Sequence, residues 1–396
     1  MPIVYGAVHI RLASEPGARI TNAMAMCIQL GISRLLGGRA PLLSGAVGLL
    51  AHPASVDEAG VHAAIRIRAK IGRRLVALFG PEHGFYGRGG AGEEIADARH
   101  AAWDIPIHSL YGAHRKPTPE MLAGIDTLVF DLQDIAVRCY TFVTTLRYVM
   151  EACAENRKRL VVCDRPVPLP NVVDGPLPEA ALESFVAGVP MPLVYGMTPG
   201  EAARFLQAAL GLDLDLCVVP MCGYARRAAA PPPVWISPSP GIRYWETAWT
   251  YPITVFTEAL ASLDCGRGGT EPFQVLTAPW IDAEKTERAF NRLALPGLRA
   301  APYWNRQPGL RFLVTAPDRL RPFAAVVHVL ALLQKQYGPE TLWSAPGTRL
   351  EWFDKLMGTA TVREALQRGE RPGRILAPTH AARTAFLRVR KSALLY

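Results

Sequence analysis

Leu75-Val-Ala-Leu-Phe-Gly-Pro-Glu-His-Gly-Phe-Tyr86 is the stretch on which the reading of the fold turns. The apolar run 75–79 has the length and composition of a strand buried on both faces. Gly80-Pro81 ends it, since proline brings no N–H to a strand ladder. Glu82 and His83 follow at once, and Gly84 lets the backbone turn away. In open α/β sheets, ligands bind just beyond the carboxyl ends of the strands. A carboxylate and an imidazole at that point are candidates for proton transfer. The competing reading is a surface loop with a capping glutamate.

The same pattern recurs on both sides. Short apolar runs at 47–51, 127–130, 160–163, 192–195 and 216–219 are strand candidates, and helical patterns separate them. Such alternation predicts βαβ units around a mostly parallel sheet. Thr118-Pro119-Glu120 and Thr198-Pro-Gly-Glu201 carry helix-start chemistry, the second as a capping box. Helical apolar spacing also runs through 140–156, 322–337, 353–366 and 377–387. Residues 228–240 are proline-rich and read as a connector. The pattern changes near 245. The expected organisation is an N-terminal extension (1–40), an α/β domain (41–245) and a smaller α+β domain (246–396).

The chain has 396 residues, enough for one large or two ordinary domains, and a net charge of +9. The densest basic groups, at 66–74 and 383–391, lack the interleaved aromatics of a phosphate-tracking surface, so nucleic acid is not the expected partner. The seven cysteines (27, 139, 153, 163, 217, 222 and 265) form no Cys-x-x-Cys, and no histidine stands at zinc-like spacing. Their odd number argues against a disulfide framework and favours a reducing compartment. Residues 1–30 lack the order of parts of an export signal, and 24–36 is too short to span a membrane. A cytoplasmic, soluble protein without metal or cofactor is expected.

Four strand candidates end on polar residues: His52 and Ser55; Glu82 and His83; Asp131, Gln133, Asp134 and Arg138; Asp164 and Arg165. If the strands are parallel and adjacent, these groups share one sheet edge. Crowded carboxylates there could form an acid/base pair, because one pKa is forced up. Asp131 and Asp164 could equally cap following helices. Arg138 and Arg165 could pair with those aspartates or clamp a substrate carboxylate. Gly87-Arg-Gly-Gly-Ala-Gly92 fits G-x-G-x-x-G, but it does not start directly after the strand, as a dinucleotide loop does. A loop covering a pocket suits it better. Gly266-Arg-Gly-Gly-Thr270 resembles a binding loop in which Arg267 could reach an anion. Trp280 could stack on a sugar or pack in the core. Tyr244, Trp245, Trp249 and Tyr251 add aromatic surface near the junction.

Taken in order, Phe79-Gly-Pro-Glu-His-Gly-Phe85, Asp131-Leu-Gln-Asp134 with Arg138 and Tyr140-Thr141, Asp164-Arg-Pro166, Asp174-Gly-Pro176, Gly196-Met-Thr198 with Glu201, Gly266-Arg-Gly268, Ala278-Pro-Trp280, Phe353-Asp-Lys355 and Leu394-Leu-Tyr396 resemble the NamZ family of exo-β-N-acetylmuramidases. The resemblance implies a Rossmann-like domain, a smaller C-terminal domain and a cleft between them. It implies release of terminal N-acetylmuramic acid from peptidoglycan fragments or muropeptides, with Glu82 as catalytic acid. Asp131, Asp134 or Asp164 would then activate water or stabilise the transition state. His83, Tyr140 and Tyr195 would contact substrate, and Arg138, Arg165 or Arg267 would hold its lactyl carboxylate. The positions of His52, Val167, Tyr195, Asp264-Cys265 and Gly269 depart from the family's pattern, which implies an altered pocket or a non-catalytic sugar-binding paralog. Members are often exported, in contrast to the leaderless start. The third reading is a nucleotide-dependent enzyme using residues 87–92.

Overall fold

A computed structural model describes residues 28–38, 43–90, 92–228 and 230–396. Most of the expected extension, with Cys27 and the leader question, lies outside the described residues. The larger sheet has seven strands: β1 (Val47–Ala51), β2 (Leu75–Gly80), β3 (Ala98–Arg99), β4 (Pro106–Ser109), β5 (Thr127–Asp131), β6 (Arg159–Cys163) and β7 (Leu216–Val219). Their order is β3-β4-β2-β1-β5-β6-β7, and all pairs are parallel except β3 with β4. From β1 the chain moves outward through β2 and β4, then returns to β5 on the other flank of β1. That reversal is a topological switch point, where such sheets bind ligands.

The strands are short and apolar because both faces are covered. Leu50, Phe130 and Val162 face one core, whereas Leu49, Val129 and Val161 face the other, as the two-residue side-chain period dictates. The first core continues without a break into Phe256, Phe323 and Phe353 of the C-terminal half. That half holds an antiparallel sheet, β8 (Val275–Thr277), β9 (Leu298–Tyr303) and β10 (Gly309–Val314), in the order β8-β10-β9.

Helix α1 (Gly31–Gly37) lies against β6 and β7. Helix α2 (Ala63–Ile71) joins β1 to β2, α3 (Pro119–Leu122) precedes β5, and α4 (Phe142–Glu155) joins β5 to β6. Helix α5 (Pro199–Leu210) opens on the expected capping box: Thr198 N donates to Glu201 at 2.9 Å, and Glu201 N donates back to Thr198 Oγ1. Thr198 and Thr118 thus behave as their positions predict. The C-terminal helices are α6 (Thr247–Thr254), α7 (Ala283–Asn291), α8 (Pro322–Tyr337), α9 (Pro339–Trp343), α10 (Leu350–Met357), α11 (Thr361–Gln367) and α12 (Pro372–Arg390). Asp174 accepts a hydrogen bond from Phe323 N at 2.9 Å, so an N-terminal loop caps α8.

Three sequence expectations need correction. Residues 192–195 form no strand; Val194 makes only isolated bridges, to Val137 and Asp174, and so pins two loops together. Strands β3 and β4 escaped the reading because they are too short and too polar to stand out. The helix expected over 353–366 is two helices, because Gly358 takes a left-handed conformation (φ 83°). A Cβ at Gly358 would also lie 2.7 Å from the Arg138 guanidinium. Gly358→Ala is therefore expected to cost about 1–3 kcal/mol, measured by urea unfolding. An unchanged unfolding midpoint would contradict this account of the break.

Candidate active site

The loop after β2 folds back on its own strand. A Cβ at Gly80 would sit 2.3 Å from Phe85 N, so only glycine allows that approach. Gly84 N donates to Pro81 O at 2.8 Å. His83 adopts φ 72° and bonds Gly89 O through Nδ1 at 3.0 Å. These bonds fix Glu82 at the carboxyl edge of the sheet. Glu82 Oε1 accepts from Gly92 N at 3.0 Å, and Oε2 accepts from Thr141 Oγ1 at 2.6 Å. The glycine-rich loop thus closes onto the carboxylate, while Thr141 presents it from the start of α4. No helix follows that loop; the next element is β3. The dinucleotide reading of residues 87–92 fails on this geometry.

Glu82 faces a cleft of about 800 Å³. One wall comes from strand-end loops and includes His83, Tyr111, Arg115, Tyr140 and Thr141. The other comes from the C-terminal half and includes Tyr251, Glu258, Arg267, Phe273, Arg349 and Trp352. Glu258 lies on a single 3₁₀ turn, Val255–Ala259. It pairs with Arg267 at 2.7 Å, and its backbone carbonyl accepts from Arg349 at 3.0 Å. Burial pushes the Glu258 pKa up; Arg267 and Arg349 oppose that shift and the charge of Glu82 adds to it. Burial also raises the Tyr111 pKa, and Glu82 raises it further.

Of the residues expected from sequence, Glu82, His83, Tyr140 and Arg267 line this cleft. The others do not. Asp131 and Arg165 form a fully buried bidentate pair at 2.7 and 2.8 Å, and Arg165 also donates to Val56 O. Asp164 accepts from Thr198 Oγ1, Gly200 N and Tyr396 Oη, each at 2.8 Å. Asp134 accepts from Ala136 N at 2.7 Å with the buried Tyr195 beside it, and burial pushes its pKa up to about 6. Arg138 donates to the carbonyls of Pro176, Met191 and Leu356, bracing the two halves of the chain. Trp280 packs on Tyr337. A strand-end charge on a sheet covered on both faces points inward as readily as outward, which periodicity alone does not distinguish. Val167, Tyr195 and Cys265, three of the positions that depart from the family pattern, are likewise buried and do not line the cleft, whereas Asp264 and Gly269 are half-buried.

Sequence reasoning missed Glu258, Tyr111 and Arg115. Glu258 is the lone carboxylate within the apolar run 251–263, a usable signal. Tyr111 and Arg115 follow β4, the strand that was not recognised.

Two glutamates in a cleft walled by aromatic rings, at the carboxyl edge of a mostly parallel sheet, define an α/β protein with a glycosidase-type site. The chain belongs to the NamZ family of exo-β-N-acetylmuramidases. The family's N-terminal model matches residues 47–246, and its C-terminal model matches 249–396. The chain is 33% identical to the peptidoglycan β-N-acetylmuramidase NamZ of Bacillus subtilis, over all of this chain and 97% of that one. A crystal structure of a DUF1343 family protein from Bacteroides fragilis superposes with a TM-score of 0.85 at 31% identity, covering 93% of this chain and 99% of that one. A second DUF1343 family protein from the same organism shares the fold at 24% identity, with a TM-score of 0.71 over the same shares of the two chains. Among the described residues no helix is long and apolar enough to cross a membrane.

Burial and the neighbouring Glu201 push the Asp164 pKa up to about 7, against its hydrogen bonds from Gly200, Tyr396 and Thr198. The native state therefore holds a proton that the unfolded chain releases at lower pH. The stability from this site is complete below the ordinary carboxylate range and is lost as pH rises through about 7. Urea midpoints measured between about pH 4 and pH 8 are expected to fall with rising pH through this window. Asp164→Asn, which cannot ionise, should flatten the upper part of that fall. An identical profile in the variant would sink the assignment.

Proposed function

We propose that this protein is a glycosidase that releases terminal β-linked N-acetylmuramic acid from peptidoglycan fragments, with Glu82 as its proton donor. The carrying observation is the Glu82 carboxylate, held at both oxygens and lining a cleft of about 800 Å³, room for more than one sugar unit. Thr141 suits a group that changes protonation state: its hydroxyl can donate to the carboxylate and accept from the acid. Protonation of the glycosidic oxygen by Glu82 would break its bond to the anomeric carbon as that carbon gains oxocarbenium character, and a water adding to the carbon with loss of a proton completes the hydrolysis. Glu258, kept in place by Arg267, is the second carboxylate of the cleft. Its negative charge would stabilise that cationic centre from a largely buried position. The aromatic walls supply flat apolar surface for the sugar faces.

Asp131, Asp134 and Asp164 are reassigned in this reading. They hold the strand ends that present Glu82 and Thr141, and they make no contact with substrate. The sugar-binding, non-catalytic alternative drew on departures at Val167, Tyr195 and Cys265. None of these three residues lines the cleft, so they give that alternative little support.

Incubation of the protein with a disaccharide bearing N-acetylmuramic acid at its non-reducing end should release the free sugar, detected by mass spectrometry. Glu82→Gln should lower kcat by about 10²–10⁴ without loss of the folded state. Glu258→Gln should lower kcat with KM little changed, since its charge acts mainly in the transition state. Full activity in Glu82→Gln would overturn the assignment of the acid.

A further inference from the structure

The cleft holds four arginines, and three of them have evident commitments or positions. Arg267 is paired with Glu258 at 2.7 Å. Arg349 donates to the Glu258 carbonyl and lies over the Trp352 ring at 5.6 Å. Arg243 is exposed at the rim. Arg115 differs from all three. Its guanidinium is half-buried, 4.2 Å from the ring centre of Tyr111 and 4.7 Å from that of Phe185. Among the described residues no carboxylate lies within ion-pair reach of it. The two rings hold the guanidinium in place, and with one donor turned to the Tyr111 phenol the remaining N–H groups keep capacity for an incoming anion.

Its position matters as much as its charge. Tyr111 interacts through its phenol with both Arg115 and Glu82, so a single side chain separates the guanidinium from the acid. N-acetylmuramic acid differs from N-acetylglucosamine by a lactyl ether on O3. That oxygen stands only two carbons from the anomeric carbon that Glu82 serves. A sugar placed for cleavage therefore carries its lactyl carboxylate close to the acid, and the receptor must lie near Glu82 without being neutralised by it.

Resting on the glycosidase reading above, we infer that Arg115, packed against the adjoining rings of Tyr111 and Phe185, receives the lactyl carboxylate and sets the preference for muramyl over glucosaminyl ends. The planar fork meets the carboxylate in two parallel hydrogen bonds, a match that a lysine lacks. A substrate without the lactyl group leaves the fork unmatched, which is how a polar receptor rejects an analogue. Arg138 and Arg165, which sequence reasoning offered for this task, are spent on buried partners.

The test compares 4-nitrophenyl β-N-acetylmuramide with the matching β-N-acetylglucosaminide. Arg115→Met should lower kcat/KM on the muramide by about 10- to 100-fold, mainly through KM, as loss of a charged hydrogen-bonded contact does. The ratio of kcat/KM on the muramide to that on the glucosaminide should fall by a similar factor. Equal losses on both substrates, or no loss on either, would overturn the inference. If Arg115→Met fails to fold, Arg115→Gln carries the same two expectations. Calorimetric titration with free N-acetylmuramic acid and free N-acetylglucosamine separates this inference from the activity. A wild type that hydrolyses nothing, yet binds the first sugar in an Arg115-dependent way, would remove the glycosidase reading and support this one. A wild type that does not distinguish the two sugars would overturn it.

Discussion

The buried pair between Asp131 and Arg165 organises the carboxyl edge of the sheet. Asp131 ends β5, and Arg165 stands just beyond β6. The same guanidinium reaches Val56 O, and Ser55 Oγ donates to Asp131 O, so the segment following β1 joins the cluster. Three neighbouring strand ends are thereby fixed to one another. Burial of two charges gains little net stability, because desolvation offsets much of their attraction. Removal of either partner, by contrast, leaves an unmatched charge in a dry interior, at a cost of about 3–5 kcal/mol. We read the pair as a device that admits only one arrangement of these strand ends, and hence one position for the loops of the wall bearing Glu82.

A second buried node extends this constraint to the end of the chain. Asp164 holds the first turn of α5 through Gly200 and Thr198, and Tyr396 donates its hydroxyl to the same carboxylate. Tyr396 also accepts from Met221 N, and Leu395 N donates to Glu201. The last residues thus return to the large sheet. Together with Arg138 bonded to Leu356 O, and with the shared apolar core, these contacts hold the wall bearing Glu258 and Arg267 against the wall bearing Glu82. The cleft has its width because the two halves are joined on several sides, by polar bonds as well as by packing.

Much of this architecture was legible in order along the chain. The runs of β1, β2, β5, β6 and β7 stand out because strands covered on both faces must be apolar throughout. The cap at Thr198 and the apolar stripe of α8 are local codes, readable without knowing what lies opposite. Glu82 was legible because a glycine, a proline, a carboxylate and a histidine directly follow a strand. The same reasoning left Asp131, Asp164 and Arg138 open between the site and the interior. Each follows an element in a place where functional groups gather, yet each turns inward and finds its partner there. Residue type and position are the same in both cases; the difference lies in which side chain has a mate across the interior.

The amino-acid sequence by itself determined the class of fold, the strand edge at which chemistry is possible, and the glutamate that presides over it. Those features rest on short-range rules: hydrophobic period, capping, and the backbone freedom of Gly80 and Gly84. Tertiary structure alone decided which charges are buried mates and which face the cleft. It brought Glu258 and Arg267 opposite Glu82, and it left Arg115 on its two aromatic rings without a counter-charge. The reason is physical. A charge pairs with whatever is near it in space, and for residues far apart in the chain that neighbour is fixed only when the cores have packed.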